Sequence, residues 1–180
     1  MADKRILLII GGGIAAFKSL ELIRALRLHN VASRCILTEA SKQFVTPMSV
    51  AALSGDKVYD DLFSLTDEAE MGHIELSRSA DLIVVCPATA NLMAKAAHGL
   101  ADDLASTTLL ATDTAVLMVP AMNVRMWQHP ATQRNLETLR GDGVTVMDPD
   151  DGEMACGEFG PGRLPEIPQI EAAILEALKS

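Results

Sequence analysis

Aromatic side chains are nearly missing from this sequence. Four Phe, one Tyr and one Trp make up 3% of its 180 residues, so a core held by ring stacking is excluded, and a flat ligand would have to be gripped by backbone and aliphatic walls. Cysteine is scarce as well. Cys35, Cys86 and Cys156 are odd in number and none lies in a C-x-x-C spacing, which gives no disulfide framework and no metal signature and points to reduced thiols. Basic charge is in deficit: 15 Lys and Arg face 24 Asp and Glu, for a net charge of −9, which argues against a nucleic-acid partner. Long apolar runs are absent too. The amino-terminal one, residues 6–10, stops at Gly11, short of a signal-peptide core or a membrane span. These absences lead to the expectation of a soluble, cytoplasmic protein without a membrane partner.

What is present is aliphatic. Some 49% of the chain is hydrophobic and nine residues are Met, enough to exclude disorder. The length suits one domain, expected to cover residues 1–180, since a chain of this size buries about 70% of the surface its unfolded form exposes. Apolar runs at 6–10, 82–86 and 116–119 read as strands, Pro87 and Pro120 ending the latter two, and 31–38 and 144–146 read as a second and a last strand. Between them, helical spacing runs from Ile14 through Phe17, Leu20 and Ile23 to Leu28, with Lys18, Arg24 and Arg27 on the exposed side, and recurs at 91–98, 104–111, 130–140 and 167–178. This alternation predicts an α/β fold: a doubly wound parallel sheet between helices, three layers deep.

Gly11-Gly12-Gly13-Ile14-Ala15-Ala16 fits G-x-G-x-x-A between a strand and a helix, where free amides and the helix dipole favour a phosphate. A dinucleotide site would want an acid after the second strand, and Glu39 is in place for it. A tight turn needed only for packing would leave the same pattern. Three other strand exits carry small or hydroxyl residues, at Thr38, at Pro87-Ala88-Thr89-Ala90-Asn91 and at Pro120-Ala121-Met122-Asn123. Together they suggest a phosphorylated flat cofactor in an aliphatic cleft, without separating nicotinamide from flavin. The stretch 149–163, with four Gly and two Pro, has no periodicity and reads as a lid or a solvated connection. Cys156 within it is a thiol able to reach a ligand, whereas Cys35 and Cys86 sit in apolar strands as core residues. Among the histidines, His29 closes a predicted helix, His98 and His129 read as surface or packing residues, and His73 opens a short helical piece where it could act as a base.

Five segments then carry a resemblance. They are Gly12-Gly13-Ile14-Ala15-Ala16-Phe17-Lys18, Met71-Gly72-His73-Ile74-Glu75-Leu76, Pro87-Ala88-Thr89-Ala90-Asn91, the P-x-M-N-x-x-M-W run from Pro120 to Trp127, and the A-C-G-x-x-G-x-G run from Ala155 to Gly162 with Arg163 after it. In this order they resemble the homo-oligomeric flavin-containing cysteine decarboxylases over nearly the whole chain. The intact A-C-G loop is similar to the branch acting on phosphopantothenoylcysteine in coenzyme A biosynthesis, more than to peptidyl-cysteine decarboxylases, flavin prenyltransferases or non-catalytic regulatory relatives. The resemblance implies a Rossmann-like flavoprotein with FMN that oxidises the substrate's cysteine to a thioaldehyde, releases carbon dioxide to leave an enethiol, and reduces that to 4′-phosphopantetheine. It implies His73 as base, Asn123 as the carboxylate holder and Cys156 as the acid. FMN contacts fall on Gly12, Gly13, Thr38, Thr89, Ala90, Asn91 and Ala121, and substrate contacts on Asn123, Met126, Ala155, Cys156 and Gly157. It further implies a homotrimer or dodecamer, with His73 supplied by a neighbour, and a CTP-dependent ligase fused or separate. Gly11 departs from the pattern, since these proteins usually carry Ser or Thr there.

Overall fold

The computed structural model describes residues 4–63 and 72–179. Its centre is a six-stranded parallel sheet in the order β3-β2-β1-β4-β5-β6, built from β1 (Lys4–Ile10), β2 (Val31–Leu37), β3 (Val58–Tyr59), β4 (Leu82–Ala88), β5 (Val116–Pro120) and β6 (Thr145–Val146). The two-sided apolar strands divide their side chains between two cores, as the period of two requires. Ile6, Leu8 and Ile10 face one layer with Val84 and Val119, against Leu22, Ile23 and Leu26 of α1 (Lys18–Leu28) and Ile170 and Ile174 of α8 (Ile167–Ala177). Leu7 and Ile9 face the other with Val85 and Met118. That layer holds Leu92 and Met93 of α4 (Ala90–His98), Leu104 of α5 (Leu104–Ala111), and Leu136 and Leu139 of α7 (Pro130–Gly141). The doubly wound, three-layer α/β/α architecture is therefore as expected. The sheet is further flanked, among the described residues, by α2 (Pro47–Ser54), α3 (His73–Arg78) and α6 (Val124–Gln128). Among the described residues no helix is long and apolar enough to cross a membrane.

Four expectations need correction. Pro87 does not stop its strand but lies inside β4, which runs on to Ala88, whereas Pro120 is the last residue of β5, where that strand ends. The ladder between these strands shifts register between Val85 and Ala88, so the missing amide of Pro87 falls where pairing slips. The helix expected from Ile14 begins as a 3-10 turn over Ile14–Phe17 and becomes α-helical only at Lys18. Ile14 and Phe17, expected on the buried face, are exposed, as is Leu28 at the far end, because the face turned to the sheet is that of Ser19, Leu22, Ile23 and Leu26. Finally, 149–163 is neither a lid without structure nor a plain connection. It is an antiparallel hairpin of β7 (Asp150–Glu153) and β8 (Phe159–Arg163). Residues such as Gly160, Pro161 and Gly162 have little β-propensity, and docking holds them instead. The amide of Met122 donates to Gly162 O at 3.0 Å, and at Gly162, with φ +143°, a Cβ would stand 2.2 Å from Met122 O.

Candidate active site

Strand order reverses between β1 and β4, and there the chains leaving the sheet diverge and open a crevice. The amide of Gly11 donates to Pro87 O at 3.2 Å, and a Cβ on Gly11 would stand 2.4 Å from that oxygen, so this approach of β1 to β4 requires glycine or a shift of the backbone. The buried Ser19 hydroxyl ties α1 to Cys86 O at 2.8 Å. The result is a cleft of about 530 Å³. Gly12, Gly13 and Ile14 form one side, with Thr89 and Ala90 at the β4 exit, Ala121 to Asn123 at the β5 exit, and the hairpin from Glu153 to Cys156 above. Gly12 and Gly13 make no amide hydrogen bond among the described residues.

Asn123 caps α6. Its Oδ1 accepts from the Met126 amide at 2.8 Å, which commits the carbonyl end inward and leaves the two Nδ2 hydrogens for a ligand. Met126, also on α6, lines the same wall. Opposite, the hairpin tip is closed by Gly157 N to Met154 O at 2.8 Å and Met154 N to Glu158 O at 2.7 Å. Cys156 sits exposed on this tip. Glu158 fastens the tip to α6 through Arg125 Nε at 3.0 Å. The other two thiols differ from Cys156: burial pushes Cys35 and Cys86 up to about 12, so both remain neutral core residues, as expected.

The expected site residues sort cleanly. Gly12, Gly13, Thr89, Ala90, Ala121, Asn123, Met126, Ala155 and Cys156 all line one cleft. Thr38, Asn91 and Gly157 do not form its wall. The Thr38 hydroxyl donates to Ile10 O and accepts from Ser41 N, both at 3.2 Å, fastening the turn after β2. Asn91 is exposed in the first turn of α4. His73 opens α3; its side chain lies outside what is described, as does Met71. His29 closes α1 and pairs with Glu171, His98 bonds Asn135 at 3.1 Å, and His129 caps α7 by accepting from Ala131 N at 3.1 Å. Glu39 pairs with Lys42 on the surface and does not line the cleft. Sequence reasoning missed two cleft cations, Lys18 and Arg163. Lys18 in particular is only 19% exposed and turns toward the cleft rather than solvent. Both stood within the segments that carried the resemblance.

An open doubly wound sheet with an aliphatic crevice at its switch point, a glycine turn offering amides and a thiol overhead, defines a Rossmann-like binder of a flat phosphorylated molecule. The chain belongs to the flavoprotein family, which it matches over residues 1–179. It is 49% identical over 164 residues to the coenzyme A biosynthesis bifunctional protein of Escherichia coli, covering 91% of this chain and 40% of that one. The same-named protein of Bacillus subtilis is 43% identical over 168 residues, covering 93% and 41%. The chain thus spans about two fifths of the length of these relatives. Among solved structures, a PPC decarboxylase variant complexed with pantothenoylaminoethenethiol superposes with TM-score 0.85 at 30% identity, covering 99% of this chain and 100% of that one. An FMN-dependent cysteine decarboxylase gives 0.80 at 31% identity and 98% of each chain.

Proposed function

We propose that this chain is an FMN-dependent carboxy-lyase that converts (R)-4′-phospho-N-pantothenoylcysteine to 4′-phosphopantetheine in coenzyme A biosynthesis. The observation that carries the reading is the placement of Asn123 and Cys156 on facing walls of one cleft that the glycine turn also lines. FMN fits these residues. The volume lies within the roughly 300–1,000 Å³ of sites that enclose such molecules. No atom lies within 4 Å of where a Cβ on Gly13 would stand, so glycine keeps that space clear for a ligand. Pro87, Ala90 and Ala121 offer the apolar and backbone surface an isoalloxazine needs, the free amides of Gly12 and Gly13 suit its phosphate, and Thr89 stands beside them; Thr38 and Asn91, which do not form this wall, enter the reading only through the resemblance. Bound there, FMN supplies the oxidant for the cysteine moiety and the electrons for the closing reduction.

The protein's own groups divide the remaining work. With Oδ1 committed to Met126 N, the Asn123 amide binds the substrate carboxylate by donation alone. A neutral donor holds a carboxylate without the full ion pairing that would oppose its departure as carbon dioxide. His73 takes a proton from the substrate during oxidation. Cys156 donates one to the enethiol carbon, and Ala155 and Gly157 beside it hold the substrate as the hairpin covers it. Exposed Ile14, Phe17 and Phe159 near the cleft support assembly as a homotrimer or a dodecamer. A CTP-dependent ligase, fused or separate, would supply the substrate. The unpaired exposed thiol of Cys156 suits a reducing cytoplasm.

The test is a decarboxylation assay on the FMN-loaded protein. Wild type releases carbon dioxide and forms 4′-phosphopantetheine; Cys156→Ser stalls with the dehydrogenated intermediate visible by mass spectrometry; His73→Asn retains FMN and leaves the substrate unoxidised. A wild type that releases no carbon dioxide sinks the reading.

A further inference from the structure

Within the cleft wall the charged side chains are Lys18, Arg163 and Glu153, two cations and one anion, in a protein whose net charge is −9. Positive charge is therefore concentrated where the chain as a whole is negative. Both cations are fixed from behind by one carboxylate that does not line the cleft. Glu166 pairs with Lys18 Nζ at 3.5 Å and with the Arg163 guanidinium. Arg163 is held along its stem as well: it crosses β7 over the buried Gly152, where a Cβ would stand 2.8 Å from Arg163 Cδ. One carboxylate cannot use every N–H donor of two cations, and although Glu153 on the same wall balances the remaining charge, several donors are left to meet a phosphoryl group.

We infer that Lys18 and Arg163, braced by Glu166, form the subsite for the phosphoryl end of the substrate, an inference that rests on the decarboxylase reading. The layout of the hairpin supports it. Cys156 lies at its tip and Arg163 at its base, where Arg163 pairs with Asp150. Lys18 and Arg163 line the same cleft as Asn123 and Cys156, so one substrate molecule with its carboxylate at Asn123 and its thiol beneath Cys156 can turn its phosphoryl end to the two cations.

The experiment compares kcat/KM for phosphopantothenoylcysteine and for its dephosphorylated form in the FMN-loaded wild type, in Lys18→Met, in Arg163→Met and in the double variant. The preference for the phosphorylated substrate is expected to fall about ten- to hundredfold per lost cation, with partial recovery in Lys18→Arg and Arg163→Lys. Retained flavin and an unchanged circular dichroism spectrum establish folding. A double variant that keeps the wild-type preference overturns the inference. So does a loss of discrimination between FMN and riboflavin in place of the substrate effect, because the anion held would then be the flavin's phosphate. Should the wild type turn over neither substrate, the decarboxylase reading fails by itself. Calorimetry with 4′-phosphopantetheine and pantetheine then decides: a phosphate preference lost in the double variant supports the subsite, and equal binding of the two overturns it.

Discussion

Arg125 Nε donates to Glu158 Oε1 at 3.0 Å, joining the helix that Asn123 caps to the hairpin tip that carries Cys156. The second carboxylate oxygen of Glu158 lies 3.8 Å from Cys156 Sγ. One acidic side chain thus couples the two walls of the cleft. Arg125 is 85% exposed, so the pair contributes no more than about 1 kcal/mol to folding, and its effect belongs to positioning. Glu158→Gln should leave stability unchanged within that margin while slowing the protonation of the enethiol proposed for Cys156 about tenfold or more, because a thiol displaced by an ångström loses its reaction geometry. Rapid-quench mass spectrometry should show the dehydrogenated intermediate accumulating. Wild-type turnover would mean that the backbone bonds of Met154, Gly157 and Glu158 suffice to hold the tip.

Substitution separates the cap that Asn123 makes from the carboxylate binding proposed for it. Its Oδ1 caps α6, a function an aspartate performs equally well. Asn123→Asp should therefore keep the wild-type melting temperature yet lose decarboxylation, since a carboxylate repels the group it must bind. Asn123→Ala should lose activity and also about 1 kcal/mol of stability, measurable by urea unfolding.

The sheet was legible because β1, β4 and β5 carry continuous apolar runs, and the cleft because small and hydroxyl residues follow each run. Other parts lay beneath the reach of periodicity. β3 has only two residues, Val58 and Tyr59. Helix α2 announced itself through Thr46 before Pro47, an N-cap with proline in the first turn, a signal that counting apolar positions passes over. The hairpin is specified by its docking on Met122 and Val124 rather than by its own residues. Charge alone assigns Lys18 to solvent, although it stands one helical turn after Ile14 and so shares its side; both line the cleft.

The three thiols differ in environment. Cys35 and Cys86 are buried and their pKa values rise to about 12, whereas Cys156 is exposed. Alkylation of the native protein with iodoacetamide near about pH 8 should place a single label, on Cys156. Cys156→Ser should take up none until denatured, as peptide mass mapping will show. A label on Cys86 in the native state would contradict the burial.

Asp81 links pH to stability. The Arg5 backbone N–H at 2.8 Å, with Lys4 Nζ at 3.0 Å, holds its carboxyl below the usual carboxylate range, against the opposing effect of burial. A depressed folded pKa stabilises the protein above the unfolded value of about 3.9, and the contribution disappears as pH falls through the lower folded value. Asp81→Asn should therefore be less stable than wild type at neutral pH, with the gap narrowing as pH falls below the unfolded carboxyl value and through the lower folded one. Urea midpoints across that range test it; a gap that stays constant would remove the linkage.

Adjacent glycines should fail for different reasons. A Cβ on Gly12 would stand 2.3 Å from Ala40 Cβ and 2.9 Å from Ser41 N, so Gly12→Ala forces the turn after β1 away from the turn after β2. The cost should be about 1–3 kcal/mol, typical of overpacking against backbone that yields little. Gly13 has an extended φ of −169° and meets nothing within 4 Å. Its alanine variant should fold with wild-type stability as the apoprotein, because neither strain nor collision arises. The added methyl instead occupies the cleft at the turn whose amides are assigned to the flavin phosphate. Gly13→Ala should thus purify with little or no flavin while its apoprotein unfolds at the same urea concentration as flavin-stripped wild type. Full flavin content in that variant would place the phosphate elsewhere on the strand exits.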